Sequence, residues 1–246
     1  MIPIRDRLPT RTRPYVTWAI LATNVIVFLS ELAAVRSGYA EVTSDWGFVP
    51  ARFLSAPADD LVTVGTSMFM HAGWMHLLGN MLFLWIFGDN VEDAIGHARF
   101  AVFYLLGGVA AVTAQLLVDP SSTTPMVGAS GAISAVLAGY LSLYPRARVL
   151  VLLPIFIIIT FFEFPAWLVI LEWFALQLIS GFSDLAFGAT ASGVAWFAHI
   201  GGFIAGLLLI RPFMIGRERR SYEPWRTWRV GRDDRSIRRG GGFAGW

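Results

Sequence analysis

Six stretches of roughly 17 to 21 predominantly apolar residues, separated by short polar segments, constrain this chain more than any other feature. A helix of that length crosses the hydrocarbon of a bilayer, and a chain of 246 residues has too little polar surface to cover six such helices in water. The composition agrees, with 56% apolar and 15% charged residues and a positive mean hydropathy. It argues against a soluble globular domain and for one all-α, polytopic membrane domain of six transmembrane helices. The spacing predicts helices over Tyr15–Ala34, Trp74–Asn90, Arg99–Val118, Gly128–Tyr144, Pro165–Phe182 and Gly193–Pro212. The apolar block Val149–Phe162 is short for a crossing and holds Pro154, so an interfacial or re-entrant segment is expected there.

Three regions follow: an N-terminal segment 1–14, a membrane domain 15–212 and an arginine-rich tail 213–246. The first apolar block has no small-residue cleavage site followed by a soluble region, so it reads as a retained helix. With six crossings both termini share one side. That side collects Arg5, Arg7, Arg11, Arg13, Arg99, Arg146, Arg148 and the arginines from Arg211 to Arg239, against Arg36 and Arg52 opposite. Positive charge stays cytoplasmic, which places both termini in the cytoplasm of a cell with a bacterial type of inner membrane. The tail reads as a topology signal and solubility segment. Residues 35–73 form a long first outer loop whose aromatic residues suit the interface. The chain has no cysteine, which excludes disulfides, a thiolate nucleophile and a cysteine metal site.

Polar groups inside a bilayer are expensive, so those that remain need a reason. In this topology the second, fourth and sixth helices begin at the outer face, and each carries polar residues in its first turns: His76 and Asn80, Ser130, and His199. His76 and Asn80 stand four apart and share one helical face. Ser130, Ser134 and Ala138 form a stripe of small residues beside Gly128 and Gly131, and Ala198, Gly202 and Gly206 form another on the sixth helix. Close packing of two such stripes brings the His199 imidazole within reach of the Ser130 hydroxyl, which needs a base before it can attack. The His76 ring, the Asn80 amide and the Ser130 backbone N–H are candidates for holding an oxyanion. No carboxylate lies at matching depth, so a Ser-His dyad is expected, with Asp119 and Asp184 only as outer-loop alternatives for a third member. A crossing at Val149–Phe162 would move His199 about 30 Å from Ser130, so the dyad requires that this segment not cross.

Each residue alone has a plainer reading. A serine in a small-residue stripe is commonly a packing residue, and a lone histidine or asparagine commonly bonds across a helix pair. His71 fits a loop hydrogen bond, His97 a solvated loop position, and Glu163 an interfacial one; Glu172 has no evident partner. A metal or transport site on His71, His76 and His199 lacks a His-Glu-x-x-His pair and an acidic ligand. No metal, cofactor or nucleic-acid partner is implied.

Three motifs in order resemble the rhomboid family of intramembrane serine proteases. His71-Ala72-Gly73-Trp74-Met75-His76-Leu77-Leu78-Gly79-Asn80 is similar to its second-helix motif, Gly128-Ala129-Ser130-Gly131 to its nucleophile motif, and Ala198-His199-Ile200-Gly201-Gly202 with Gly206 to its sixth-helix motif. The resemblance spans about Tyr15 to Pro212 and extends to the connection around Glu92 and Arg99. It implies Ser130 as nucleophile, His199 as general base and then acid, and His76 and Asn80 as oxyanion donors. The implied substrates are single-pass membrane proteins cut near the outer ends of their helices and reaching the site between the second and fifth helices. The alternative within the family is a catalytically silent protein that binds client helices. Some relatives place a tyrosine ring on the histidine where this chain has Ser134, so another group has to hold His199.

Overall fold

The computed structural model describes residues 1–155, 158–187 and 195–217. Among these, the order is β1 (Ile2–Asp6), α1 (Tyr15–Arg36), α2 (Val42–Trp46), α3 (Pro50–Ser55), α4 (Pro57–Thr66), α5 (Trp74–Ile95), α6 (His97–Val118), α7 (Ser130–Leu143), β2 (Arg148–Ile155), β3 (Ile158–Pro165), α8 (Ala166–Phe187) and α9 (Trp196–Phe213). The protein is a polytopic helical membrane protein. By length and composition α1, α6 and α9 can each cross a membrane, and α7 and α8 contain shorter apolar runs. Outward-facing Ile26, Leu29, Leu105, Val109, Ile204 and Leu208 leave these helices apolar where they meet no protein, as lipid contact requires.

Most helix boundaries lie within a few residues of those expected. α5 runs on to Ile95 because its last turns are held by buried polar contacts, and Gly96, at φ +88°, reverses the chain into α6. Asp184, expected in an outer loop, lies within α8. The expected start of the last helix at Gly193 and the tail beyond residue 217 lie outside the described residues.

In lipid, apolar burial does not hold helices together, so close backbone contact has to. α7 is buried on all sides and packs between α5, α6 and α9. A Cβ at Gly202 would stand 2.1 Å from the Gly131 carbonyl oxygen, and one at Gly206 2.3 Å from that of Ala135. Those two glycines set the α7–α9 distance. Gly131, whose carbonyl meets Gly202 on that seam, also faces Ala111 of α6, where a Cβ would lie 2.5 Å from the alanine's own. The same helix therefore uses small residues on two faces.

The segment expected to be interfacial or re-entrant is a β-hairpin. β2 and β3 pair antiparallel in register from Arg148↔Pro165 to Ile155↔Ile158, and β1 adds a third strand along Val149–Leu152. Alternating β-branched and aromatic residues such as Val149, Val151, Thr160, Phe162 and Phe164 favour a pleated surface. Pro154 is accommodated beyond the stretch that β1 pairs, where the missing N–H leaves β1 unaffected. The sheet joins the two ends of α7 and α8 that lie far from Ser130, so no crossing is added and the helix parity is kept. Glu163 of β3 accepts hydrogen bonds from Arg7 at 2.6 and 2.9 Å, and Glu172 of α8 lies 3.4 Å from the amino group of Met1.

Two polar knots bind this end of the bundle. Fully buried Glu92 accepts from the backbone N–H of Val16 and Thr17 at 2.9 and 2.7 Å and so caps α1, which is favourable at the positive end of a helix. His97, expected in a solvated loop, is part-exposed but opens α6 with Nδ1 2.5 Å from Glu92. The second knot centres on Asp6, which accepts from the Tyr140 hydroxyl at 2.5 Å and the Asn90 amide at 3.0 Å. Burial is the main influence on Asp6 and raises its pKa from 3.8 to about 6, although the Tyr140 hydrogen bond pulls the other way. The folded state thus favours the protonated acid. Its contribution to stability is complete below about pH 3.8 and is lost as pH rises through about 6. Amide-exchange protection of β1 is accordingly expected to fall between about pH 4 and 6, and Asp6→Asn to weaken that dependence.

At the opposite end, α2, α3 and α4 form a folded loop. Arg52 ties it together through Asp60 and the Gly47 carbonyl, each at 2.7 Å, and through the Ser44 carbonyl. Phe48 and Met126 exchange backbone hydrogen bonds at 3.0 and 2.7 Å, which binds this loop to the segment leading into α7.

Candidate active site

Ser130 is the first residue of α7, and its backbone N–H is among the first-turn donors that no carbonyl of the same helix takes. Gly128 delivers the chain to this position with φ +131°, a conformation that side chains disfavour. Its N–H donates to the Ser67 carbonyl at 2.8 Å, and a Cβ there would lie 2.7 Å from the His76 ring. Gly128 is therefore a turn residue that makes room for His76, not the helix-packing residue expected from its place beside the stripe.

His199 lies one turn into α9 and is buried. The glycine contacts at positions 202 and 206 bring α9 against α7 just below it, and His199 Nε2 stands 2.7 Å from Ser130 Oγ. Ser134, one turn further along α7, donates to the Ser130 carbonyl at 2.6 Å. The other ring nitrogen of His199, Nδ1, lies 2.7 Å from Gln177 Oε1 on α8. Trp173 and Trp196 flank the imidazole with ring centroids 5.9 and 6.1 Å away. Gln177 was not singled out by the sequence; an amide on an otherwise apolar helix, next to the unassigned Glu172, was the available signal.

Ser130, His199, His76 and Gln177 all line one cavity of about 640 Å³, walled also by Trp173, Trp196 and the Met126–Gly128 segment. Asn80 is near but differently employed. Its amide Nδ2 meets His71 Nε2 at 2.9 Å, and His71 Nδ1 faces the Phe69 carbonyl at 3.3 Å. The backbone N–H of His71 donates to Glu31 of α1 at 3.2 Å. His71 thus holds more than a loop contact: its ring stands 5.1 Å from that of His76 and buttresses it. The His76 ring lines the same cavity as Ser130. Asp119 lies just past the end of α6 and Glu172 immediately precedes Trp173; neither lines the cavity. Among the described residues no three His, Asp or Glu side chains are grouped to hold a metal ion.

A hydroxyl, an imidazole with its second nitrogen engaged, and a free helix N-terminus around a pocket are the parts of a nucleophilic acyl-transfer site. Comparison with known proteins points the same way. The Rhomboid domain profile matches residues 58–215. The chain is 27% identical over 206 residues to Rhomboid protein 1, mitochondrial, of Saccharomyces cerevisiae, covering 78% of this chain and 51% of that protein. It is 27% identical over 202 residues to Rhomboid protease GluP of Bacillus subtilis, covering 79% and 34% respectively. Presenilin-associated rhomboid-like protein A, mitochondrial, of Danio rerio is 32% identical over 113 residues, covering 44% of this chain and 30% of that one. The chain thus spans about half or less of the length of these curated relatives. With the domain profile matched along most of the bundle, through α5 to α9, the chain belongs to the rhomboid family.

Proposed function

We propose that the protein is an intramembrane serine endopeptidase that cuts membrane-spanning segments of single-pass membrane proteins with Ser130 and His199. The observation that carries this reading is the 2.7 Å contact between His199 Nε2 and Ser130 Oγ inside a cavity. It joins residues 69 positions apart on two helices, which accidental packing has little reason to do. The kinship with a Bacillus protein named as a protease supports the same reading.

In this scheme Ser130 Oγ attacks a substrate carbonyl as its proton passes to His199 Nε2. The oxyanion that forms is held by the Ser130 backbone N–H and the His76 ring, helped by the positive end of α7. His199 then gives its proton to the departing amine, and water repeats the sequence to free the acyl group from Ser130. Asn80 completes the cradle after releasing one amide hydrogen from His71. In a cell membrane, the arginine distribution supports an orientation with the sheet end of the bundle on the cytoplasmic side.

The test is labelling of the purified protein in bilayers with a fluorophosphonate, together with cleavage of a reporter carrying one transmembrane helix. The expected result is adduct on Ser130, located by mass spectrometry, and a single cut in or beside the helix. Binding of the reporter with neither adduct nor cleavage would replace the enzyme with a client-binding protein.

A further inference from the structure

We infer that Gln177 of α8 is a positioning residue that fixes His199 in the one neutral tautomer able to accept the Ser130 proton. The inference rests on the proposed roles of Ser130 and His199 as a reacting pair. It concerns how a dyad without a carboxylate keeps its base correctly loaded.

The direction in which the Gln177 amide faces decides the tautomer. Its Nε2 lies 3.3 Å from the Trp173 carbonyl, one turn back along α8, where only the N–H₂ end can donate. Reversing the amide would set its carbonyl oxygen against another carbonyl oxygen. The contact therefore orients Oε1 toward His199, 2.7 Å from Nδ1. An amide oxygen only accepts, so Nδ1 must carry the ring proton. In the neutral ring Nε2 is then left with a lone pair, and Nε2 is the atom 2.7 Å from the Ser130 hydroxyl. The opposite tautomer would point an N–H at Ser130 and leave Nδ1 and Oε1, both acceptors, face to face in a buried place.

An amide suits this position better than a carboxylate would. Gln177 is buried in a helix that faces lipid, where an ionised acid is costly and an amide is not. A neutral partner gives up the electrostatic help a carboxylate lends to the imidazolium, yet keeps the tautomer and the ring orientation. Trp173 serves twice, since its carbonyl holds the amide and its ring flanks His199. The other titratable group facing His199 is His76 on α5.

The experiment compares wild type, Gln177→Leu and Gln177→Glu in bilayers by ¹⁵N-histidine NMR and by steady-state cleavage. The chain has four histidines, and His199→Ala assigns the relevant resonances. In wild type the His199 signals are expected to show Nδ1 protonated and Nε2 bare, and Gln177→Leu to move them toward the Nε2–H form. Gln177→Leu should lower kcat roughly 100-fold with KM changed less than about twofold. Gln177→Glu should restore most of kcat while moving the acidic limb of the pH profile upward by about one unit, because a carboxylate favours the imidazolium. A wild-type His199 carrying its proton on Nε2, or an unchanged tautomer and kcat in Gln177→Leu, overturns the inference. A tautomer shift in a protein that cleaves nothing leaves Gln177 in place and removes the endopeptidase reading instead. If Gln177→Leu does not fold, the pH-limb displacement in Gln177→Glu decides, and its absence counts against the inference.

Discussion

Ser130→Ala, His199→Ala and the double substitution are each expected to lower kcat on a transmembrane reporter by the same factor, at least about 10⁴-fold. The reason lies in the shared proton. His199 acts by carrying the proton taken from Ser130 Oγ and passing it on to the departing amine, so once either residue is gone the other has nothing left to do. Independent contributions would instead multiply, and the double variant would fall far below both singles. Folding is expected to survive in all three. Ser130 is a small residue at a helix start, and its hydroxyl has one contact to lose. His199→Ala removes a ring that meets Trp173, Trp196 and Gln177, which costs about 1 to 3 kcal/mol in a buried site. Initial rates in proteoliposomes, alongside thermal midpoints in detergent, check both halves. A double variant markedly slower than either single would show that the two residues do not act as one unit.

Gly202→Val is expected to force the α7–α9 seam open. Its Cβ would be placed 2.1 Å from the Gly131 carbonyl oxygen, a backbone atom of a helix that is itself fixed against α5 and α6. No rotamer relieves that contact, so α9 must move away from α7 by an ångström or more. Overpacking of flexible side chains costs about 1 to 3 kcal/mol, and a clash with rigid backbone exceeds this. The displaced helix carries His199, so the 2.7 Å contact with Ser130 is lost in whatever fraction stays folded. Gly202→Ala presents the same Cβ without the extra methyls and is expected to give an intermediate case, folded at low temperature and slow. Thermal unfolding and fluorophosphonate labelling of Ser130 should decline together along the series Gly, Ala, Val. A Gly202→Val protein with wild-type midpoint and labelling would show that the α7–α9 seam is not what sets the site.

These two expectations depend on different kinds of information. The helical membrane character, the approximate bounds of the apolar helices and the presence of Ser130, His199, His76 and Asn80 near helix starts were legible in the linear chain, because a bilayer enforces length on every apolar block. Glycine spacing in α9 announced a close helix contact for the same reason: in lipid, small residues are the main means of bringing backbones together. The partner on the other side of a glycine was not legible. Gly131 turned out to meet α6 as well as α9, and Gly128 to serve a turn, since a helix has several faces and spacing alone does not say which neighbour each one receives. The hairpin at Arg148–Pro165 was read as a short non-crossing segment without its strands, because short apolar runs lack a decisive period and β1, which completes the sheet, lies some 140 residues away.

Composition and patterning by themselves determined that this chain is a helical membrane protein and which polar residues stand near the starts of its helices, because hydrocarbon leaves little choice about where polar groups go. Only the tertiary structure decided that Nε2 of His199 faces Ser130, that Gln177 faces Nδ1, and that His71 occupies Asn80. Those are relations of a few ångströms between side chains on separate helices, set by how closely α7, α8 and α9 approach one another, and no spacing within a single helix encodes them.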